Sequence, residues 1–182
     1  GFAADDVICA VTTLSFDIAG LELYLPLVSG ARVHIATEAE VRDPQRTMAL
    51  VKDCGATVLQ TTPTLLRLLC DGGRVEGLAG LKLLVGGEAM PRDLANEVVR
   101  HCGELWNMYG PTETTIWSTI HRVEAGDGPV PLGRPIANTR IHVLDESGRA
   151  LAAGEQGEIW IGGDGVADGY LNRPDLTAER FR

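Results

Sequence analysis

The sequence predicts an α/β fold: a parallel sheet with helices on both faces, followed by part of a small antiparallel β unit. In the first three-quarters of the chain, short and mostly apolar runs alternate with helix-like segments. Such an alternation is typical of parallel sheets that are covered on both faces. After about residue 130, apolar and polar residues alternate instead, as they do in antiparallel strands.

Turn and cap residues set the order of the elements. Gly30 is typical of a helix end, because glycine adopts the left-handed conformation found there. Asp43 before Pro44, and Thr62 before Pro63, each place a capping residue ahead of a proline at the first helical position. The predicted order is a strand at 7–13, a helix at about 19–29, a strand at 31–35, a helix at about 44–54, a strand at 57–60, a helix at about 63–70, a strand at 81–85, a helix from 91 to about 102, a strand at 105–108 and a final helix from about 176.

The predicted domain organisation has an α/β part at 1–135 and an incomplete β-rich part at 136–182. Residues 140–144 and 158–161 alternate in polarity, and Asp-Glu-Ser-Gly at 145–148 favours a turn between them. We therefore expect these two segments to pair as antiparallel strands.

Composition limits the classes of partner. The net charge of −9 argues against nucleic acid or an anionic membrane. The chain has neither an apolar run of about 18 residues nor a charged-then-apolar leader, which predicts a cytoplasmic protein. The four cysteines form no C-x-x-C pair and the four histidines show no metal-binding spacing. We therefore expect free thiols in a reducing compartment rather than disulfides or zinc.

Residues 107–113 read N-M-Y-G-P-T-E and directly follow a short apolar run. Tyr109 offers an aromatic face for a base, and Gly110 before a proline lets the backbone bend close to a ligand. The Thr112 hydroxyl suits a phosphate, and the Glu113 carboxylate suits a hard cation such as Mg²⁺. Ligands of parallel sheets bind beyond the carboxyl ends of the strands. The segment therefore suggests a nucleoside-phosphate and metal site, although an ordinary strand–turn–helix corner explains these residues equally well.

Three segments, in the same order, resemble motifs of the adenylate-forming enzymes, in particular the amino-acid adenylation domains of non-ribosomal peptide synthetases. Residues 107–113 resemble the family's N-x-Y-G-P-T-E motif, and F-D-I-A at 16–19 is similar to F-D-x-S. Residues 157–171 resemble G-E-L-x-I-x-G-x-G-x-A-R-G-Y-L, with Asp168 in place of the usual Arg. The resemblance covers essentially the whole chain.

This resemblance implies a flavodoxin-like subdomain followed by the start of a small antiparallel β-barrel subdomain. It implies that the parent protein converts an amino acid and Mg·ATP into aminoacyl-AMP and pyrophosphate. The aminoacyl group would then pass to the phosphopantetheine thiol of a carrier-protein domain. Further partners could include a small helper protein of the MbtH type.

The resemblance also implies roles for individual residues. Thr112 would contact the phosphates, Glu113 would hold Mg²⁺, and Tyr109 would stack on adenine, with Asn107 as a weaker adenine contact. Gly87 and Glu88 belong to a loop whose backbone would pass adenine and the substrate pocket.

Asp17 would bind the α-amino group of the substrate, because a buried ammonium needs a counter-charge. The carbonyls of Gly110 and Ile116 could help to hold the same group. The alternative for Asp17 is a helix N-cap, a common position for an aspartate. Related enzymes that activate aryl or fatty acids usually lack this aspartate.

By the same resemblance, nine positions line the pocket for the amino-acid side chain. They are Asp17, Ile18, Leu21, Gln60, Leu84, Gly86, Met108, Ile116 and Trp117. Each apolar member alone could simply belong to the core. As a set they leave little room for a side chain, and they look like the family's pattern for glycine.

Two other functions stay open at this point. One is a nucleotide-binding fragment without catalysis, and the other is an acyl-CoA-type ligase, which Asp17 disfavours. The family's phosphate loop would precede Gly1, and its ribose-binding aspartate and C-terminal lysine would follow Arg182. We therefore expect residues 1–182 alone to be inactive.

Overall fold

A seven-stranded sheet with the strand order β2-β1-β3-β4-β5-β6-β7 forms the centre of the computed structural model, which describes residues 1–182. Its strands are β1 (Val7–Ala10), β2 (Arg32–Ile35), β3 (Val58–Thr61), β4 (Lys82–Gly86), β5 (Glu104–Tyr109), β6 (Thr119–Arg122) and β7 (Arg134–Pro135). The five strands from β2 to β5 in this order are parallel, which confirms the predicted fold class. Strands β6 and β7 add an antiparallel edge that the sequence did not predict.

Six α-helices accompany the strands. They are α1 (Ala19–Ser29), α2 (Glu38–Val41), α3 (Pro44–Asp53), α4 (Pro63–Cys70), α5 (Arg92–Val98) and α6 (Pro174–Arg180). The predicted caps form, because the Asp43 carboxylate accepts a hydrogen bond from the Gln45 backbone N–H and the Thr62 hydroxyl accepts one from Leu65. Helix α5 ends about four residues earlier than predicted. The unpredicted α2 is closed by a capping box between Thr37 and Glu40.

Side chains that alternate along each strand divide the core into two clusters. Leu59, Leu83 and Val85 belong to the larger cluster, which packs against α3, α4 and α5. Val58 and Leu84, their neighbours in sequence, point to the opposite face and join a smaller cluster. Ile18, at the N-cap of α1, and Leu21 within α1 pack on this second face, so the prediction of helices on both faces is confirmed.

Helix α1 buries the side that carries its one charged residue, Glu22. Ala19, Glu22 and Pro26 face the interior, whereas Tyr24 and Val28 are exposed. Gly30 ends the helix with φ 70°, in the left-handed region that the sequence predicted for it. A glutamate thus occupies the inner face of a helix whose exposed side carries several large apolar residues.

The last part of the chain forms a separate two-stranded sheet. Strands β8 (Thr139–Leu144) and β9 (Glu158–Gly163) are antiparallel, as predicted, with Ile141 opposite Ile161. The predicted turn at 145–148 is closed by a hydrogen bond of 2.9 Å from the Gly148 N–H to the Asp145 carbonyl. The division into subdomains at 135/136 remains a prediction. No helix is long and apolar enough to cross a membrane.

Candidate amino-acid and nucleotide site

The loops that follow β1, β3, β4 and β5 meet at one edge of the sheet, because parallel strands end on the same side. The register aligns Gln60 with Leu84, and Gly86 with Met108. Leu84 and Gly86 are two residues apart on β4, and their partners Gln60 and Met108 lie directly beside them on the neighbouring strands. All four positions therefore lie on one face of the sheet. Four of the nine candidate pocket positions therefore lie on strands of the sheet.

Eight of the nine pocket positions come together on this face. Ile18, Leu84, Met108 and Trp117 are members of the smaller core cluster, and Leu21 and Ile116 pack against it with partial burial. Gln60 is fully buried, and Gly86 lies against Trp117. The structure thus places the predicted pocket residues in mutual contact, although plain core packing explains part of that contact.

Gly86 marks the narrowest point of the group. An added Cβ would lie 2.4 Å from the Met108 carbonyl oxygen and 2.4 Å from the Trp117 ring. Real Cβ atoms do not approach other heavy atoms so closely, and a backbone oxygen cannot move aside easily. The packing therefore admits only glycine at this position without displacement.

The turn between β5 and β6 is strained where it borders the pocket. Thr115 has φ 59° and Ile116 has φ 71°, both in the left-handed region. This conformation is a real outlier for a β-branched residue and is found mostly at functional sites. Gly110 makes the turn possible, since a Cβ there would lie 2.6 Å from the Ile116 carbonyl oxygen. The turn is thus held in a costly shape beside the candidate pocket.

Asp17 lies half-buried one residue before the cluster member Ile18. The N-cap of α1 is Ile18, and no side-chain hydrogen bond caps the helix. The alternative role of Asp17 as a helix cap is therefore wrong.

A buried polar network below the pocket was not foreseen from the sequence. The Gln60 amide nitrogen donates to the Ile18 carbonyl at 2.8 Å and to the Glu22 carboxylate at 3.1 Å. The Trp117 indole N–H donates to the Gln60 amide oxygen at 3.2 Å. Thr12 donates to Glu22 through its hydroxyl at 2.7 Å and its backbone N–H at 3.0 Å. A single charge in the apolar segment of α1 was the available signal for Glu22.

The predicted nucleotide residues lie on the other side of the same turn. Tyr109 and Glu113 line a cavity of about 850 Å³ that also borders β9 and the C-terminal residues. The Tyr170 hydroxyl donates a hydrogen bond to the Glu113 carboxylate. The Ala167 backbone N–H donates to the Glu113 carbonyl at 2.9 Å. The loop after β9 therefore fixes Glu113, a role for Tyr170 that the sequence did not reveal.

The Glu113 side chain is suited to a cation. The hydrogen bond from Tyr170 holds the pKa of the Glu113 carboxyl below its usual range, so the group is ionised at neutral pH. Tyr170 engages one of the two carboxylate oxygens. No group of three or more His, Cys, Asp or Glu side chains is arranged around a possible metal position. A single carboxylate fits Mg²⁺ that is shared with substrate phosphates, because Mg²⁺ is commonly bound in that way.

The remaining predicted residues are more dispersed. Thr112 is exposed at the start of the turn that carries Glu113. Glu88 is exposed and accepts hydrogen bonds from the backbone N–H and hydroxyl of Thr64, at the start of α4. Gly87 has φ 82° and lies beside Phe16. Asn107 is buried, and its amide nitrogen donates to the Pro131 carbonyl at 2.8 Å, so it holds the segment before β7.

Comparisons with known proteins agree on one family. A family model described as AMP-binding enzyme matches residues 1–171. A dimodular nonribosomal peptide synthase of Bacillus subtilis (strain 168) is 48% identical over 179 residues, which are 97% of this chain and 7% of that protein. This chain thus spans a small part of the relatives it matches.

Two solved structures have the same fold. A four-domain nonribosomal peptide synthetase bound to AMP and glycine superimposes with a TM-score of 0.94 and 42% identity, over 99% of this chain and 14% of that chain. A nonribosomal peptide synthetase protein with adenylation and PCP domains, bound to a vinylsulfonamide inhibitor, has a TM-score of 0.90 and 30% identity, over 98% of this chain and 32% of that chain.

Proposed function

This chain belongs to the AMP-binding enzyme family, and from that premise we propose that it is part of an adenylation domain that activates glycine. In the proposed reaction, the glycine carboxylate attacks the α-phosphorus of ATP. Glycyl-AMP forms and pyrophosphate leaves. The domain would serve non-ribosomal peptide synthesis.

The observation that carries the glycine assignment is the packing around Gly86. In this proposal the Trp117 ring and the Met108 carbonyl, which crowd Gly86, also occupy the space in which a substrate side chain would lie. Forcing even one methyl group into a well-packed region costs about 1–3 kcal/mol. The solved synthetase bound to AMP and glycine, at 42% identity, supports the same assignment.

We assign the polar roles by position around this pocket. Asp17 precedes the pocket without a competing cap interaction, so its carboxylate is available to the glycine ammonium. The carbonyls of Gly110 and Ile116 would help to hold the same ammonium. Tyr109 would stack on adenine, and Thr112 would donate its hydroxyl to a phosphate. Glu113 would hold Mg²⁺, which neutralises phosphate charge when bound. Catalysis in this scheme rests on positioning and on electrostatic stabilisation.

The acceptor of the activated glycine would be a phosphopantetheine thiol on a carrier-protein domain. The solved protein with adenylation and PCP domains shows that the two domain types occur in one relative. A helper protein of the MbtH type is a further proposed partner.

The test is amino-acid-dependent ATP–pyrophosphate exchange by the complete protein that contains this chain. Glycine, alanine, serine, larger amino acids, an aryl acid and a fatty acid should be compared at equal concentration. We expect exchange with glycine well above all the others. Equal or better exchange with a bulky amino acid would refute the glycine assignment, and exchange only with an aryl or fatty acid would refute amino-acid activation.

A further inference from the structure

We propose that Glu22 is a positioning residue that acts through Gln60 to keep the candidate pocket selective for glycine over alanine. The inference rests on the proposed function. Glu22 itself lies below the pocket, on the inner face of α1, and we assign it no contact with the substrate.

The position of Glu22 is unusual for a carboxylate. Its side chain is fully buried, on the inward side of a helix that otherwise carries no charge. No salt bridge involves it, and its neighbours within hydrogen-bond distance are Thr12 and Gln60. Burial raises the pKa of Glu22 above its ordinary value, and the hydrogen bonds from Thr12 and Gln60 oppose only part of that rise. A buried carboxylate of this kind is unfavourable for folding unless it is well hydrogen-bonded. We therefore infer that Glu22 has a functional role.

The network gives the Gln60 amide one orientation. Both amide hydrogens have acceptors, the Ile18 carbonyl and the Glu22 carboxylate, while the amide oxygen accepts from the Trp117 indole. A flipped amide would turn its oxygen toward two other oxygens and its NH₂ group toward an N–H donor. Every contact in the flipped state is therefore repulsive. Glu22 contributes one of the two acceptors that exclude it.

A fixed Gln60 in turn keeps Trp117 in place, because the indole N–H has its acceptor on Gln60. The Trp117 ring is one of the two groups, with the Met108 carbonyl oxygen, that leave no space for a Cβ at Gly86. Excluding a methyl group requires that the surrounding side chains do not move, since a pocket that relaxes loses its steric penalty. The chain Thr12–Glu22–Gln60–Trp117 thus connects a buried carboxylate to the rigidity of the pocket.

A carboxylate suits this position better than its neutral isostere. One oxygen of Glu22 accepts from the Thr12 hydroxyl and the Gln60 amide, and the other accepts from the Thr12 backbone N–H. A glutamine at position 22 would place its NH₂ group opposite one of these N–H donors in either orientation. Glu22→Gln therefore keeps the shape of the side chain and introduces a donor–donor conflict.

The test compares Glu22→Gln with the unsubstituted protein in ATP–pyrophosphate exchange, using the complete protein that contains this chain. We expect the ratio of kcat/KM for glycine to that for alanine to fall by about tenfold, which corresponds to about 1.4 kcal/mol. The change should appear as a lower KM for alanine, with kcat for glycine little changed, because the relaxed pocket loses its steric penalty against the methyl group and the chemical step is not altered.

Thr47→Val is the matched control for general destabilisation. Thr47 is also fully buried, and its hydroxyl donates to the Glu40 carbonyl at 2.8 Å, on the far side of the sheet. This variant should lower the thermal stability and leave the glycine-to-alanine ratio unchanged. An equal change of the ratio in both variants would overturn the positioning role.

A double-mutant cycle tests whether Glu22 acts through Gln60. In a Gln60→Ala background, Glu22→Gln should change the ratio no further. If Glu22→Gln does not fold, Thr12→Val and Thr12→Ser replace it, because only the serine retains the hydroxyl that bonds to Glu22. Thr12→Val should lower the glycine-to-alanine ratio of kcat/KM, and Thr12→Ser should leave it unchanged.

The outcomes separate this inference from the proposed function. Normal exchange with an unchanged ratio in Glu22→Gln, or equal ratios in the two Thr12 variants, would overturn the inference alone. No exchange with any amino acid by the unsubstituted protein would overturn the proposed function and this inference with it.

Discussion

Gly86→Ala is the substitution whose effect the structure defines most sharply. The new methyl group would lie 2.4 Å from the Met108 carbonyl oxygen and 2.4 and 2.6 Å from two carbons of the Trp117 ring. The carbonyl belongs to a central strand, and the ring is buried and hydrogen-bonded to Gln60. The carbonyl is held in the sheet, so we expect the Trp117 ring to shift at the expense of its hydrogen bond to Gln60.

Overpacking of this kind costs about 1–3 kcal/mol, and three contacts below 3 Å favour the upper part of that range. For a domain of this size, each kcal/mol lowers Tm by about 2–4 °C. If the displaced ring imposes the same cost on bound glycine, kcat/KM for glycine should fall about 5- to 150-fold.

Thermal unfolding and glycine-dependent ATP–pyrophosphate exchange should be measured on the same preparation. Gly126→Ala is the control, because an added Cβ there meets nothing within 4 Å. This control should leave both quantities unchanged. Normal Tm together with normal glycine exchange in Gly86→Ala would refute the reasoning that the pocket is rigid and already full.

Three further substitutions test other parts of the site. Asp17→Asn should keep the Tm, since no helix cap is lost, yet lower glycine-dependent exchange by orders of magnitude; near-normal exchange in the folded variant would remove Asp17 from the site. Glu113→Gln should raise the Mg²⁺ concentration needed for half-maximal exchange, and an unaltered Mg²⁺ titration would contradict its assignment. Tyr170→Phe should change the acid stability, because a carboxyl with a depressed pKa stabilises the fold above its unfolded pKa and loses that contribution as pH falls through its folded pKa. In urea titrations on either side of the ordinary glutamate pKa, the unsubstituted protein should lose more unfolding free energy on acidification than Tyr170→Phe, and parallel pH profiles would contradict this.

The parallel half of the sheet was predictable because its signals are local. Asp43 before Pro44 and Thr62 before Pro63 fix two helix starts without reference to the rest of the chain. The edge strands β6 and β7 had no such signal, since β6 is short and largely polar and β7 has two residues. They depend on distant hydrogen bonds, such as that of 2.7 Å from the Thr119 hydroxyl to the Leu132 carbonyl.

The sequence likewise predicted some residues of the candidate site and missed others. The positions of Gly86, Met108 and Trp117 came from the resemblance to a family, and the structure adds the distances between them. The partners that orient the site residues were missed, because Glu22 and Tyr170 meet Gln60 and Glu113 across separations of 38 and 57 residues. No periodicity or spacing rule reports on such pairs. The outward apolar side of α1 was equally hidden, since helical periodicity does not say which face a sheet will cover.

The central claim is that the pocket admits glycine and excludes a methyl group. The complete protein that contains this chain should be incubated with ATP, Mg²⁺ and an equal mixture of glycine and alanine, and the adenylates trapped with hydroxylamine and quantified by mass spectrometry. We predict that glycine hydroxamate exceeds alanine hydroxamate by at least about fivefold, which is the lower limit set by about 1 kcal/mol of overpacking. Equal amounts of the two hydroxamates, or an excess of the alanine product, would contradict the account.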